Sequence, residues 1–422
     1  MPIALIDGNN FYASCEEAMD PSLRGRPLVI LSNNDGCVIA RNAEAKSLGI
    51  KMGEPFFKLR TQLKALNVEI RSSNYALYGD ISRRFMNLLN NYCEDIEIYS
   101  IDEAFLKIQR PINKDLGPWA KNLRAFIYQN LGISTAIGIG INKSQAKLAN
   151  YLAKNFAQHA GVFDFEASDN REYWLESISI ENVWGIGRKL AYWCRLEGIQ
   201  NARQLRDMPS SKLKKKYGVK GIRLQNELRG ACCLPILNQR KSKKETCVSR
   251  SFSRPISSLN DLQQAIATYS ILASEKLRKQ KQFAGSITIF VRTSMYKSNY
   301  YSQSATKRLS RHSNDTFTLL EASLQLIPKL FQPNRLLNKA GVIMKDLIDS
   351  DHCQLELFEN LTHKKRAQRE ELMKIIDKLN QRYGRNIVTW AACGLNPKWS
   401  MQRKYLSNAS TTQFTQIPII NA

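Results

Sequence analysis

Asp7 closes a short apolar run, Pro2 to Ile6, and the pair Asp102-Glu103 separates two others, Ile96 to Ser100 and Ala104 to Ile108, so it reads as the tip of a β-hairpin. Adjacent strands of one sheet would bring these three carboxylates together although they lie far apart in the chain. Left alone they repel; shared divalent cations stabilise them. Two Mg²⁺ about 3.5–4 Å apart in such a cluster can activate an attacking hydroxyl and steady a leaving pyrophosphate, with no separate protein base needed. Taken singly, an Asp after a strand and an acidic turn are ordinary solvated surface, so the chemistry depends on their convergence. A second feature lies at Asn182-Val183-Trp184-Gly185-Ile186-Gly187-Arg188-Lys189-Leu190, a helix, a glycine turn and another helix. Gly185 and Gly187 let backbone N–H groups approach a phosphate at a helix start, and Arg188 and Lys189 follow at once.

The elements that must hold these residues follow from hydrophobic patterning. Phe11 to Met19 opens as a helix, Pro27 to Ser32 reads as a buried strand, and Ile39 to Leu48 as a helix stopped by Gly49. Ser134 to Ile141 reads as a strand and Ser144 to Lys154 as a helix, so the first 165 residues mix strands and helices in an α/β sandwich. Residues 178–229 read as short helices broken at glycines. Residues 231–254 form a basic connector into a second mixed segment, about 255–346, with a helix over Leu262 to Leu277 and a strand over Ser286 to Arg292. Beyond it, Leu372, Ile375, Ile376, Leu379 and Tyr383 mark an amphipathic stretch ending at Gly384.

The charge balance restricts the partners. The 422 residues carry 62 Lys plus Arg against 37 Asp plus Glu, a net +25. Residues 1–110 are nearly neutral, with 13 basic and 14 acidic side chains, whereas 182–229 carry +9 and 239–311 carry +12. Two consecutive basic segments behind a carboxylate-bearing front suit a phosphate backbone, and they predict affinity that falls steeply with salt. The nine cysteines include no C-x-x-C pair and there are four histidines, a pattern that argues against a zinc module and for reduced thiols. No apolar run approaches a membrane span, and Asp7 comes too early for a signal peptide, so the chain is read as cytoplasmic with no membrane partner.

Longer words carry a resemblance. Asp7-Gly8-Asn9-Asn10-Phe11-Tyr12-Ala13-Ser14 and Tyr99-Ser100-Ile101-Asp102-Glu103-Ala104-Phe105 resemble the two palm motifs of the Y-family translesion DNA polymerases. Asn34-Asp35-Gly36-Cys37-Val38-Ile39-Ala40-Arg41-Asn42-Ala43-Glu44-Ala45-Lys46, with Gly49 to Pro55, resembles the fingers segment of the bacterial UmuC branch, and the likeness in motif order runs from about residue 3 to the C-terminus. The resemblance implies an α+β multidomain right hand: a palm over 1–165 with small fingers inserted at about 20–75, a helical thumb with a helix-hairpin-helix over 166–232, an α/β little finger over 240–346, and a C-terminal region over 347–422.

Carried over residue by residue, it implies that Asp7, Asp102 and Glu103 are catalytic metal carboxylates for two Mg²⁺, with the Gly8 carbonyl as a further ligand and Tyr12 as a steric gate against a 2′-hydroxyl. Ala43 and Lys46 stand where the family commonly has Tyr and Arg, which leaves Arg41 or Lys46 as triphosphate candidates, Arg being the better fork for phosphate oxygens; Asn142 to Lys147 with Ala153-Lys154 resembles the family's palm helix, which implies that Lys154 meets the triphosphate. Gly185, Gly187, Arg188 and Lys189 become a sequence-independent grip on DNA backbone. Gln354-Leu355-Glu356-Leu357-Phe358 resembles a β sliding clamp-binding peptide through Gln354, Leu355, Leu357 and Phe358, with a short buried strand as the plain alternative. The tail, Trp399 to Lys404 with Thr411-Thr412, is of the branch's type, but Asn408-Ala409-Ser410 departs from its usual Pro-Arg-Tyr.

The implied activity is error-prone, template-directed DNA synthesis across lesions in the SOS response. The implied substrates are primer-template DNA and deoxynucleoside triphosphates, the implied partners are the processed UmuD dimer, RecA and the β clamp, and the implied location is the nucleoid. A nucleotide cyclase would have no use for the glycine turn and basic segments. A non-catalytic DNA-binding scaffold would have no use for three intact carboxylates.

Overall fold

In the computed structural model, which describes residues 1–109, 115–237, 242–296, 298–350, 363–384, 387–395, 397–411 and 413–417, the run Ile3-Ala4-Leu5-Ile6 is buried on both faces. A strand buried on both faces belongs at the centre of a covered sheet. It is β1 (Ile3–Gly8), the middle of a five-stranded sheet of order β5-β6-β1-β7-β8, with β5 (Ile96–Ile98), β6 (Glu103–Lys107), β7 (Thr135–Gly140) and β8 (Val162–Asp164). Both neighbours of β1 run antiparallel to it. A smaller sheet joins β2 (Leu28–Leu31) to β3 (Val38–Arg41) and β4 (Glu69–Ser72).

Helices α1 (Phe11–Met19), α2 (Ala43–Ser47), α3 (Phe56–Ala65), α4 (Tyr75–Asn90), α5 (Gly117–Leu131) and α6 (Lys143–Asn155) accompany these sheets. They are followed by a helical cluster of α7 (Arg171–Ser177), α8 (Arg188–Leu196), α9 (Ala202–Asp207) and α10 (Ser210–Leu228). These elements form one unit, residues 1–32, 36–240 and 404–422.

The second unit, residues 33–35 and 241–403, is built on an antiparallel sheet of order β11-β10-β12-β9. Its strands are β9 (Thr246–Ile256), β10 (Gln282–Arg292), β11 (Ser302–Ser313) and β12 (Leu337–Asp349). Helices α11 (Leu259–Lys279) and α12 (Thr316–Leu324) cover it, and Ile266, Leu277, Ile287, Leu319 and Val342 share one core. α13 (His363–Tyr383) is fastened by the Arg278 guanidinium, whose Nε and Nη2 donate to the Asp377 carboxylate at 2.7 and 2.8 Å.

Three expectations change. Ile39 to Leu48 is not one helix: Ile39, Ala40 and Arg41 belong to β3, and Asn42, in extended geometry, caps α2 by accepting from the Ala45 N–H at 3.0 Å. The connector 231–254 ends in β9, whose pairing with β12 shifts register between Leu337 and Lys339; that irregularity blurs the alternation that would mark a strand. Residues 302–313, to which the sequence reading gave no element, form β11, which pairs along β10 as a polar edge strand. No helix among the described residues is long and apolar enough to cross a membrane, and the described cysteines are free.

The placement of α6 depends on two glycines in β7. A Cβ on Gly138 would lie 2.0 Å from the Asn150 backbone nitrogen, and one on Gly140 2.8 Å from that of Ala146, so the helix rests directly on the strand. The start of α6 is held by Glu227 of α10, which is fully buried. One carboxylate oxygen accepts from the Ser144 N–H at 3.0 Å and its hydroxyl at 2.5 Å; the other accepts from the Leu234 N–H at 2.9 Å. A carboxylate here satisfies an orphan donor of the first turn and complements the positive end of the helix. Glu227→Ala leaves those donors without an acceptor in a closed site, and a loss of about 2–4 kcal/mol is expected. Urea unfolding followed by tryptophan fluorescence measures it, and an unchanged midpoint would show that Glu227 is dispensable to the packing of α6.

Candidate active site

Asp7 stands directly opposite Glu103 in the register of β1 with β6. Residues opposed in this way project to the same side of a sheet, with Cα atoms about 4.5–5.5 Å apart. Asp102 lies in the turn just before β6; its carbonyl accepts from the Gly8 N–H at 2.8 Å, and its carboxylate accepts from the Ser100 hydroxyl at 2.5 Å. The fold therefore brings together the three carboxylates singled out in the sequence.

Each has a partner. Lys154 Nζ lies 2.6 Å from Asp7 Oδ1, and Lys147 Nζ lies 2.6 Å from Glu103 Oε2. The two lysines are seven residues apart on α6, two turns, and so share a face. Burial pushes the Asp7 carboxyl up to about 6; Lys154 opposes that rise, and Asp102 and Glu103 add to it by repulsion. Among the described residues no group of three or more His, Cys, Asp or Glu side chains is arranged to hold a metal ion. With Asp7 and Glu103 turned to lysine and Asp102 to Ser100, no preformed cage exists.

Lys147 also faces aromatic rings, 4.7 Å from the centre of Tyr99 and 5.9 Å from that of Trp184, and the Trp184 indole N–H donates to the Tyr99 hydroxyl at 3.2 Å. Sequence reasoning assigned no role to Lys147, Tyr99 or Trp184. The one usable signal was the seven-residue interval to Lys154 on a helix.

Tyr12 follows from a sharp exit of the chain: Asn10 adopts the left-handed conformation, φ 49°, and α1 begins at Phe11. Phe11 is buried. The Tyr12 ring stacks on Tyr78, centroids 4.4 Å apart and planes 16° apart, and meets Tyr75 edge-on at 6.1 Å. Burial raises its phenol, and Tyr75 and Asp102 add to that rise, so Tyr12 lies within the field of the carboxylate cluster.

The expected triphosphate cations are neighbours. Burial lowers the Lys46 ammonium, with Arg41 and Lys154 as the further causes, so Lys46 lies within reach of both positive groups. Lys46 Nζ donates to Asn10 Oδ1 at 2.5 Å. Arg41 donates from Nη1 to the Ile50 carbonyl, while its buried Nε has no hydrogen-bond partner. Ala43 is exposed at the start of α2.

At the glycine turn, Gly185 has φ +89°, which a side chain would strain, and its carbonyl accepts from the Tyr217 hydroxyl at 2.9 Å. Gly187 caps α8 with open space around it, and Arg188 and Lys189 are exposed. The peptide Gln354 to Phe358 lies outside the described residues.

Comparison with known proteins places the chain in a family. Residues 6–151 match the model of the impB/mucB/samB family, 243–357 that of the impB/mucB/samB family C-terminal domain, and 370–420 a domain of unknown function (DUF4113). The chain is 37% identical over 418 residues to Protein UmuC of Salmonella typhimurium, covering 98% of this chain and 99% of that one. It is 36% identical to Protein ImpB of the same organism, covering 99% of each, and 27% identical to DNA polymerase IV of Bacillus velezensis, covering 91% of each. Among solved structures, a Y-family DNA polymerase chimera, Dbh-Dpo4(243-245)-Dbh, superposes with a TM-score of 0.66 at 23% identity, over 83% of this chain and 100% of that one, which makes the fold that of a Y-family polymerase. With identity of this extent along nearly its whole length, the chain belongs to the Y family of DNA polymerases, in the branch that holds UmuC, ImpB, MucB and SamB.

Proposed function

We propose that the chain is a template-directed DNA polymerase of low fidelity that extends primers past damaged template bases in the SOS response, with primer-template DNA and deoxynucleoside triphosphates as substrates. The observation that carries this reading is the register of Asp7 with Glu103, with Asp102 tied beside them through Gly8. The donor set is all oxygen, which suits Mg²⁺. Its excess negative charge is felt at Asp7, and two lysine ammonium groups now occupy its acidic oxygens. Asp7, Asp102, Glu103 and the Gly8 carbonyl would hold two Mg²⁺, whose chemistry there is activation of a primer 3′-hydroxyl and neutralisation of the triphosphate.

The chain's own residues do the rest. Lys154, which pairs with Asp7 here, would join Lys46 and Arg41 in binding the triphosphate, and Lys147 would be freed from Glu103. Tyr12, supported by Tyr78, fills the space under the sugar, so a 2′-hydroxyl meets a ring instead of a void. Gly185, Gly187, Arg188 and Lys189 grip the DNA backbone without reading sequence. The family likeness supports the processed UmuD dimer, RecA and the β clamp as partners, the last through Gln354, Leu355, Leu357 and Phe358, and a place at the nucleoid in the cytoplasm.

On a template carrying an abasic site, with those three partners present, the wild-type chain is expected to extend the primer beyond the lesion. Asp102→Asn should lower that rate by on the order of 10³-fold while primer-template affinity, read by fluorescence anisotropy, changes less than about threefold. Equal rates would remove Asp102 from the reaction. Tyr12→Ala should raise the efficiency of ribonucleotide insertion relative to deoxynucleotide by about tenfold or more; a fixed ratio would place the gate elsewhere.

The folded-state value of Asp7, about 6, lies above its ordinary 3.8, so protonation favours the fold. That contribution is complete below the ordinary value and is lost as pH rises through about 6. With divalent ions chelated, Asp7→Asn should therefore be more stable than wild type at neutral pH, by about 1–3 kcal/mol, with the difference closing as pH falls through about 6. Thermal unfolding across that range measures it, and a pH-independent difference would contradict the strained charge at Asp7.

A further inference from the structure

The segment 404–417, distant in sequence from every residue assigned above, is grouped with the first unit. It docks at the end of β4. The Ser72 N–H donates to the Tyr405 carbonyl at 2.8 Å, the Tyr405 N–H donates to the Ser72 hydroxyl at 2.9 Å, and Leu406 bridges Ser72 in parallel. Two residues on, Ser407 enters the interior. Its hydroxyl accepts from Asn74 Nδ2 at 3.0 Å and donates to Glu16 Oε1 at 3.1 Å. The same carboxylate oxygen accepts from the Tyr78 hydroxyl at 2.7 Å.

Glu16 is 1% exposed and Tyr78 is fully buried, so the bond between them lies in a closed environment where losing it leaves a polar group without compensation, while the Ser407 bond is partly buried. Tyr78 is the ring on which Tyr12 stacks at 4.4 Å. An unbroken line of contacts thus runs from the C-terminal segment through Ser407, Glu16 and Tyr78 to Tyr12.

We propose that Glu16 and Ser407 are positioning residues for sugar selection: the C-terminal strap pins Glu16, Glu16 fixes the rotation and depth of Tyr78, and Tyr78 is the floor that holds Tyr12 at its working height. The inference rests on reading Tyr12 as the gate and adds to it a second layer, supplied by a tail segment. A ring free to sink or tilt would test a 2′-hydroxyl less strictly than one braced from below. Burial raises the Glu16 carboxyl, in keeping with its having hydroxyl donors for partners in place of a cation at bonding distance.

The test is primer extension by the full chain with a deoxynucleoside and a ribonucleoside triphosphate of the same base, comparing their kcat/KM values in Glu16→Ala, Glu16→Gln and Ser407→Ala. Glu16→Ala should lower the deoxy-to-ribo ratio by on the order of tenfold, since small misplacements at a reacting centre carry penalties of this size. Ser407→Ala, which removes one hydroxyl from a half-buried site and keeps the fold testable should Glu16→Ala be unstable, should lower the ratio by a smaller factor. Glu16→Gln, whose amide oxygen still accepts from both hydroxyls, should keep the ratio.

A merely structural role would lower both efficiencies together and leave the ratio unchanged. That result in Glu16→Ala or Ser407→Ala, alongside a ratio that does collapse in Tyr12→Ala, overturns the proposal and leaves the gate intact. A ratio lost equally in folded Glu16→Gln overturns the hydrogen-bonded brace. If Tyr12→Ala also leaves the ratio unchanged, the reading of the gate itself has failed and the strap proposal falls with it.

Discussion

Three carboxylates held at the ends of adjacent strands repel one another, and burial at the rim of a sheet sharpens the repulsion because less water screens it. Asp7 is opposed to Glu103 across the β1–β6 ladder and tied to Asp102 through Gly8, so main-chain hydrogen bonds keep the three backbones close whichever way the side chains turn. With the carboxylates ionised, positive charge brought to this place relieves the repulsion. In the structure Lys154 and Lys147 bring it from one helix face, at 2.6 Å each. Much of the first unit can be understood as a means of delivering α6 to that position.

The means are specific. β7 contributes Gly138 and Gly140 where a side chain would strike the helix backbone, Asn150 reaches the Ala136 carbonyl at 2.9 Å, and Glu227 holds the first turn. Two turns of helix separate the lysines, so fixing the axis of α6 fixes both cations at once. A third lysine of α6, Lys143, pairs with Glu97 of β5 at 2.5 Å, so the helix meets this end of the sheet with a row of ion pairs. Their exposure is low, which makes each costly to break one-sidedly and so suited to defining position more than to adding stability.

The polar interior around Glu16 follows a different logic. A buried carboxylate with hydroxyl donors specifies orientation, because each donor must point at it or remain unsatisfied. Asn74 and Tyr78, at the start of one helix, and Ser407, more than three hundred residues further along the chain, agree on one geometry. This gives the C-terminal segment a structural attachment next to the aromatic stack of Tyr12, Tyr75 and Tyr78.

The local words around Asp7, Tyr12, Asp102 and Gly185 were legible in the amino-acid sequence by itself, as were the apolar runs of β1 and β7, because these features depend on neighbours within a few positions and on side-chain period. It also determined the excess of positive charge and its concentration in two segments. Among the strands it did not reveal, β9 and β11 are an irregularly registered strand and a polar edge strand, whose formation depends on the partner they pair with and not on their own pattern. Only the tertiary structure decided which cation meets which carboxylate, that Tyr99, Trp184 and Lys147 are neighbours, and that Ser407 reaches Glu16. Those contacts join residues whose spacing in the chain carries no period, so nothing short of the folded backbone could bring them into register.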